Sequence, residues 1–485
     1  MKALHNAASN GDTITLPAGT FTWSTPVTIS KAIKLQGAGS GRIIARSTSS
    51  VAVGTGLKTF TTQSGLSISN GQTLRVAQLG NRTNYMEGTA TRYSGTTLVL
   101  NVTSTGGSGT HKVWWIATMP YTIITHAVAS GPSIVLREST AGKLELSGIK
   151  VVYGSGNLIP VVAINVVSGG KPVLIHDCWF QLSSSDVMIR TSSHRGVIWN
   201  CSFDAQWVSP GQVCTGLQLT NPTDSTGSWT SNSTMGTQDT SGTNNLYVED
   251  CDFHAFLNCV DFADGSRTVM RHCLFNNAGL GSHGPDSAIY GNRHFEVYDN
   301  TFVFNGFSDG TTLNLNWWLF LRGGTGVWTD NVIPAINSQD YPNQNTYRFT
   351  VMALRRSGSM RPKYACWSGG YPLPREIGQG YINGSPSTEP VYIWNNTGTA
   401  SQTSTLTDIS CADPEACPNC ATQPTTGSFL LPGRDYFIGT PKPGYIKYTY
   451  PHPLRAPTPP KTASATPGSP QNVEEKKQKS KNRGQ

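Results

Sequence analysis

A short phrase recurs along the chain, and it constrains the fold more than any other feature. The segments VLIHDCWF (173–180), VIWNCSF (197–203), YVEDCDF (247–253), VMRHCLF (269–275), EVYDNTF (296–302) and VWTDNVI (327–333) align without gaps, and YIWNNTG (392–398) is a weaker seventh copy. One column is apolar: Ile175, Ile198, Val248, Met270, Val297, Trp328 and Ile393. Two positions on stand Asp177, Asn200, Asp250, His272, Asp299, Asp330 and Asn395, and the next column is Cys178, Cys201, Cys251, Cys273, Asn300, Asn331 and Asn396. Two residues further come Phe180, Phe203, Phe253, Phe275, Phe302 and Ile333. An apolar column, a polar turn column and an aromatic column are what a coil needs when its strands stack on copies of themselves. Asn and Asp tolerate the turn, and like residues share hydrogen bonds along the stack.

Successive members of the Cys/Asn column lie 23, 50, 22, 27, 31 and 65 residues apart. The short intervals are single coils, and the long ones carry inserted loops such as the Ser/Thr/Gly-rich 221–245. The pattern predicts an all-β chain: a right-handed parallel β-helix whose coils bury their inner faces against their neighbours. Composition agrees. Charged residues are only 13% of the chain, with 51 Gly and 29 Pro. A mainly helical protein needs more Glu, Lys and Arg on its surfaces than that.

The N-terminal stretch GDTITLPAGTFTWSTPVTISKAIKLQGAGSG (11–41) alternates apolar and polar residues at the strand period, with Gly and Pro at the corners. Its phrases GDTITLPAGTF and IKLQGAGSG, with the later repeat, resemble pectin-lyase-like right-handed β-helix proteins. SAIYGNRHFEVYDNTF, FLRGGTGVWTDN, PVYIWNNTG and YTYPHPLR resemble a bacterial secreted group among them. The resemblance covers residues 1–55, 117–400 and roughly 433–455. It implies a fold that hosts lyases, hydrolases, tailspikes and non-catalytic binders alike. Residues 56–116 break the solenoid pattern and read as a compact antiparallel unit. SNGQTLRVA, NYMEGTATRYSGTTLVLNV and GGSGT are similar to a small module of phage tail proteins, which implies a virion or cell-surface, carbohydrate-facing setting. A decorative insertion is the other reading.

The expected organisation is therefore coils at 1–55, an inserted β module at 56–116, the main β-helix at 117–400, a turn-rich cap region with cysteines at 401–456 and a disordered tail at 457–485. The tail holds six Lys and Arg against two Glu, half of the net charge of +8. What remains on the body is too mild for a nucleic-acid groove. No apolar run reaches membrane-spanning length. The N-terminus shows no signal peptide and opens in what reads as a capping amphipathic helix, consistent with a missing upstream segment that carries any export signal. The expected location is extracellular, at a cell surface or on a virion.

Candidate chemistry falls into four groups. Cys178, Cys201, Cys251 and Cys273 read as small buried residues of an internal stack. Cys411, Cys417 and Cys420 in CADPEACPNC read as a disulfide with a spare thiol, Cys366 a further partner, in preference to zinc; no metal site is expected. Arg195, Arg267 and His294 stand six residues before the Cys/Asn column, flanked by His194 and Arg293. Stacked coils put them in one basic stripe suited to the carboxylates of an acidic polysaccharide, or in a solvated corner row. Asp261, Asp264, Asp286 and Glu296, with His283 nearby, are candidate general acids and bases. For a lyase, Arg267, Arg293 or His283 would remove the C5 proton while a cation, Ca²⁺ among the options, neutralises the uronate. Asp264 and Asp286 also fit simple turns. By strand parity Glu296 points outward. Trp317, Trp318, Trp367, Tyr371 and Tyr381 are candidate sugar platforms or loop packing, and Arg322 in FLRGGTG joins the binding candidates.

The polygalacturonase motifs (Asn-Thr-Asp, paired Asp, Gly-His-Gly) and the pectate-lyase motifs (Trp-x-Asp-His, Arg-x-Pro-x-x-Arg) are absent, so no catalytic residue carries over from those enzymes. The reading is a carbohydrate-active β-helix protein that binds a polysaccharide and cleaves it by a lyase or hydrolase route. The alternative is a non-catalytic glycan-binding adhesin or phage-tail component, a trimer if it is tailspike-like.

Overall fold

A computed structural model describes residues 1–455 except 42, 67, 79–80, 154–159, 183–186, 193–194, 206–214, 221–237, 264, 283–291, 304–316, 334–347, 354–376, 383–384, 398–403 and 407–429. The chain forms a right-handed parallel β-helix. Its first face is an 11-stranded parallel sheet running from Thr13–Thr15 to Tyr436–Ile438. Sixteen further parallel strands make the other two faces, joined where Asp252–Phe262 and Leu274–Ser282 bend continuously from the second face to the third. One coil thus runs Val173–His176, Trp179–Leu182, Val187–Thr191 and back to Gly196–Trp199 on the first face. The short helix Lys2–Ala7 covers the N-terminal end, where buried His5 accepts the Ser30 N–H through Nε2 at 3.2 Å.

The recurring phrase supplies both the corner between the first two faces and its lining. Asp177, Asn200, Asp250, His272, Asp299, Asp330 and Asn395 all take φ between 51 and 56°. Asn, Asp and His enter this left-handed region at least cost among non-glycine residues. The turn reverses the side-chain parity, so the next residue points inward. Cys178, Cys201, Cys251 and Cys273 are buried and unpaired to one another by disulfides, as the repeat column predicts. Each thiol lies 3.3–3.4 Å from the carbonyl two residues back. Where Asn replaces Cys, an amide ladder takes over. Asn300 Nδ2 donates to Asn331 Oδ1 and Asn331 Nδ2 to Asn396 Oδ1, each at 2.9 Å. The aromatic column stacks face to face, with ring centroids 5.2, 4.7, 5.2 and 4.6 Å apart from Phe180 through Phe302. These values bracket the strand spacing of about 4.8 Å that sets the rise of a coil.

Between the first coils sits a six-stranded antiparallel sheet with its own core around Phe60, Leu74, Met86, Leu98 and Trp114. It takes in Ile43–Ser47 and Trp114–Thr118 as well as the strands within 56–116. Trp115 meets His254 of the second face edge-on, centroids 5.4 Å apart.

Candidate functional site

The three outer faces differ in what covers them. On the first face, residues 442–455 run as a strap across the outward rows. Arg271, fully buried, donates to Glu249 Oε1 at 2.5 Å and Tyr298 Oη at 2.8 Å, and to the strap carbonyls of Tyr448 and Thr449. Arg455 of the strap pairs with Glu249 and Asp250, and Lys447 with Asp299 and Asp330.

Two members of the expected basic stripe, Arg267 and His294, lie on this strapped face. Arg267 and His294 do occupy neighbouring positions in one row, but the row is not an exposed grip. Arg267 donates to Asn245 Oδ1 at 3.0 Å, and His294 and Glu296 are each 1% exposed. Burial holds the His294 imidazole down at about 4, so it is neutral near pH 7, with Nε2 3.1 Å from Glu296 Oε1. Tyr445 of the strap donates its hydroxyl to Glu296 Oε2 at 2.8 Å. Glu296 points outward, as strand parity predicts, yet the strap roofs it and leaves no path to a polymer chain. Arg293 is fully buried. Arg195 is held in an ion pair with buried Glu138 at 2.8 Å.

The second face carries Lys150 over the Trp179 ring at 3.6 Å and an Asp204–His254 pair at 3.2 Å, the latter beneath Trp115. The third face presents an outward row of different character: Val135, Ala163, Arg190, Gln218, Asp261, Gly281 and Phe320, in register strand after strand. Arg190 is exposed, Gln218 half-buried and Asp261 buried, while Arg137 and Asn165 beside the row are exposed. Arg190 Nε donates to Gln218 Oε1 at 2.5 Å. Next to Asp261, Gly281 keeps the floor flat; a Cβ there would stand 2.5 Å from Asn258 Oδ1, a buried acceptor with no hydrogen-bond partner among the described residues. Chain connections also single out this face. The corner between the first two faces is two residues long in every copy of the phrase, such as Asp177–Cys178. Among the copies of the phrase, then, length variation falls on the connections that border the third face, where a scaffold places binding loops, while the antiparallel unit enters at an earlier corner between the first two faces.

Asp261 is the one candidate acid that the described residues bring to this row. Asp264, His283, Asp286, Trp367, Tyr371 and Cys366, Cys411, Cys417 and Cys420 lie outside the described residues, as do the side chains of Trp317 and Tyr381. Trp318 is no sugar platform: it is buried in the core, edge-on to Phe302 at 5.4 Å. Arg322 donates from Nε to the Ser282 carbonyl at 2.7 Å and lies over the Phe320 ring, near the end of the row. Arg190 and Gln218 carry no motif. Their signal lay in the register alone, since Arg190 between Ile189 and Thr191 and Gln218 between Leu217 and Leu219 are the outward residues of strands whose neighbours point inward. Among the described residues no group of three His, Cys, Asp or Glu is placed to hold a metal ion.

No family model matches the chain, and no curated protein does. Among solved structures, the chain is similar to the Gp54 tailspike of Acinetobacter baumannii bacteriophage AP22, solved with A. baumannii capsular saccharide. Identity is 10% over 81% of this chain and 68% of that one, with a TM-score of 0.22. The tailspike gp49 of Pseudomonas phage LKA1 is 12% identical over 84% and 74% of the two chains, TM-score 0.21. The catalytic domain of a GH87 alpha-1,3-glucanase with nigerose is 9% identical over 81% and 91%, TM-score 0.18. The fold assignment stands on the strand register described above.

Proposed function

We propose that the chain is a carbohydrate-active β-helix protein that binds an extended polysaccharide along its third face, in an extracellular or virion setting. The observation that carries this reading is the Arg190–Gln218–Asp261 ladder. A cation, an amide and a carboxylate stand one strand apart in one row of the third face, with Arg190 exposed, Gln218 half-buried and Asp261 buried. Such a row offers donors and acceptors in sequence to a hydroxyl-bearing polymer lying along the solenoid axis. Hydrolysis is the second reading, favoured by Asp261 at the floor of the row; Asp264 and Asp286 follow it in sequence as candidates for the second carboxylate. A lyase route has less support, since Arg267 and Arg293 are buried.

The test is incubation with acidic and neutral polysaccharides, reading retention, new reducing ends and ultraviolet absorbance of unsaturated uronate. Retention that weakens at least tenfold in Arg190→Ala and Gln218→Ala supports the binding surface. Retention unchanged in both sinks it. Reducing ends that vanish in Asp261→Asn while retention persists make the protein a hydrolase.

A further inference from the structure

A second place on the molecule has the makings of a ligand site, away from the third face. A cleft of about 650 Å³ opens between the antiparallel unit and the ridge of left-handed turns. The unit contributes Arg46, Gln63 and Leu66, and the ridge contributes Asn200, Asp252 and Leu274. Asp250 and His272 complete the lining, the His272 ring lying 3.7 Å from that of Tyr450 on the strap. Clefts between separately folded units are where small ligands bind most often, because neither unit alone satisfies the polar groups that face the gap.

We infer that this cleft is a saccharide subsite for an uncharged, hydroxyl-rich sugar unit. The charge inventory sets the class. Asp250 is neutralised by Arg455 at 2.5 Å and also accepts the Tyr450 hydroxyl at 2.7 Å. Arg46 and Asp252 contribute one charge of each sign to the lining, and burial lowers the pKa of His272, so it is neutral near pH 7. Charges balance, leaving no surplus cation to recompense the desolvation of a uronate or phosphate. What the lining does offer is a carboxylate, two amides and a guanidinium, which match vicinal hydroxyls in both directions of hydrogen bonding. Gln63 is already oriented, its Oε1 accepting the Arg46 backbone N–H at 3.1 Å. Leu66 and Leu274 supply apolar walls for the C–H faces of a sugar ring. This reading rests on none of the third-face residues.

The test is calorimetric titration of the intact protein with maltohexaose, cellohexaose and chitohexaose, with hexagalacturonate as the anionic counter-probe. We expect saturable binding of at least one neutral hexasaccharide, weakened tenfold or more by Leu66→Trp, which fills the cleft, and by Asp252→Ala. Gln63→Trp, at an exposed position, repeats the steric block without touching the ridge, and thermal melting confirms that each variant is folded. Binding that survives both Trp substitutions overturns the inference, as does preference for hexagalacturonate or silence with all three neutral probes. Loss in Gln218→Ala but not in Leu66→Trp moves the binding to the third face and overturns the cleft alone.

Discussion

Asn200 shows how much one backbone angle demands in this protein. It holds φ at 54°, and its counterparts in the other copies of the coil turn hold 51–56°, a region that costs an ordinary L-residue about 1–2 kcal/mol. Asn200→Val should therefore lower the melting temperature while Asn200→Gly leaves it nearly unchanged; equal melting of the two would remove the turn argument. The pair of Glu145 and His176 makes a second residue-scale statement. Desolvation opposes the charge on both, but hydrogen bonds and charges from Asp177 and Glu145 raise His176 to about 9. His176 and Lys34 in turn hold Glu145 down at about 2. A raised histidine stabilises fully below its unfolded value of 6.5 and loses that contribution as pH climbs through about 9; a depressed carboxylate stabilises above 4.5 and loses it as pH falls through about 2. The stability gap between the native chain and His176→Gln should be widest between about pH 4.5 and 6.5 and shrink steadily toward pH 9. A flat difference across pH 6–9, measured by thermal denaturation, would contradict the assignment.

At the scale of an element, the strap is held by a seat as much as by its ion pairs. Gly242 has φ +72°, and a Cβ there would come within 2.4 Å of the Tyr448 ring and hydroxyl. Gly242→Ala should therefore combine backbone strain with displacement of Tyr448, raising amide hydrogen exchange across 445–452. Unchanged protection there would show that the seat is not needed. Arg271 is the strap's inner anchor. Arg271→Ala leaves Glu249 buried with, among the described residues, Arg455 and the His452 N–H as the partners of its side chain, so a loss of about 3 kcal/mol is expected in chemical denaturation. Retained stability would mean that water reaches the row once the guanidinium is gone.

Across the whole molecule, Cys178, Cys201, Cys251, Cys259 and Cys273 are buried free thiols. In the native protein they should resist a thiol reagent, and in denaturant they should react. Their prompt labelling without denaturant would mean that the coils open readily. The coils were legible in the sequence because each is a local statement, an apolar strand position, a turn residue two places on and a Cys or Asn after it, repeated until no other fold accommodates it. Asp261 was legible as a candidate by residue type. The Arg190–Gln218 part of the row was not, because these residues meet only through strand register.

The amino-acid sequence by itself determined the solenoid, its left-handed corner and its Cys, Asn and Phe stacks, since each follows from backbone sterics and period-two burial within one coil. Only the tertiary structure decided that the first face is covered. Arg455 reaches Glu249 across 206 residues and Tyr445 reaches Glu296 across 149, and no local pattern encodes such contacts. A row of outward polar residues looks the same in sequence whether water or a distant strap lies over it.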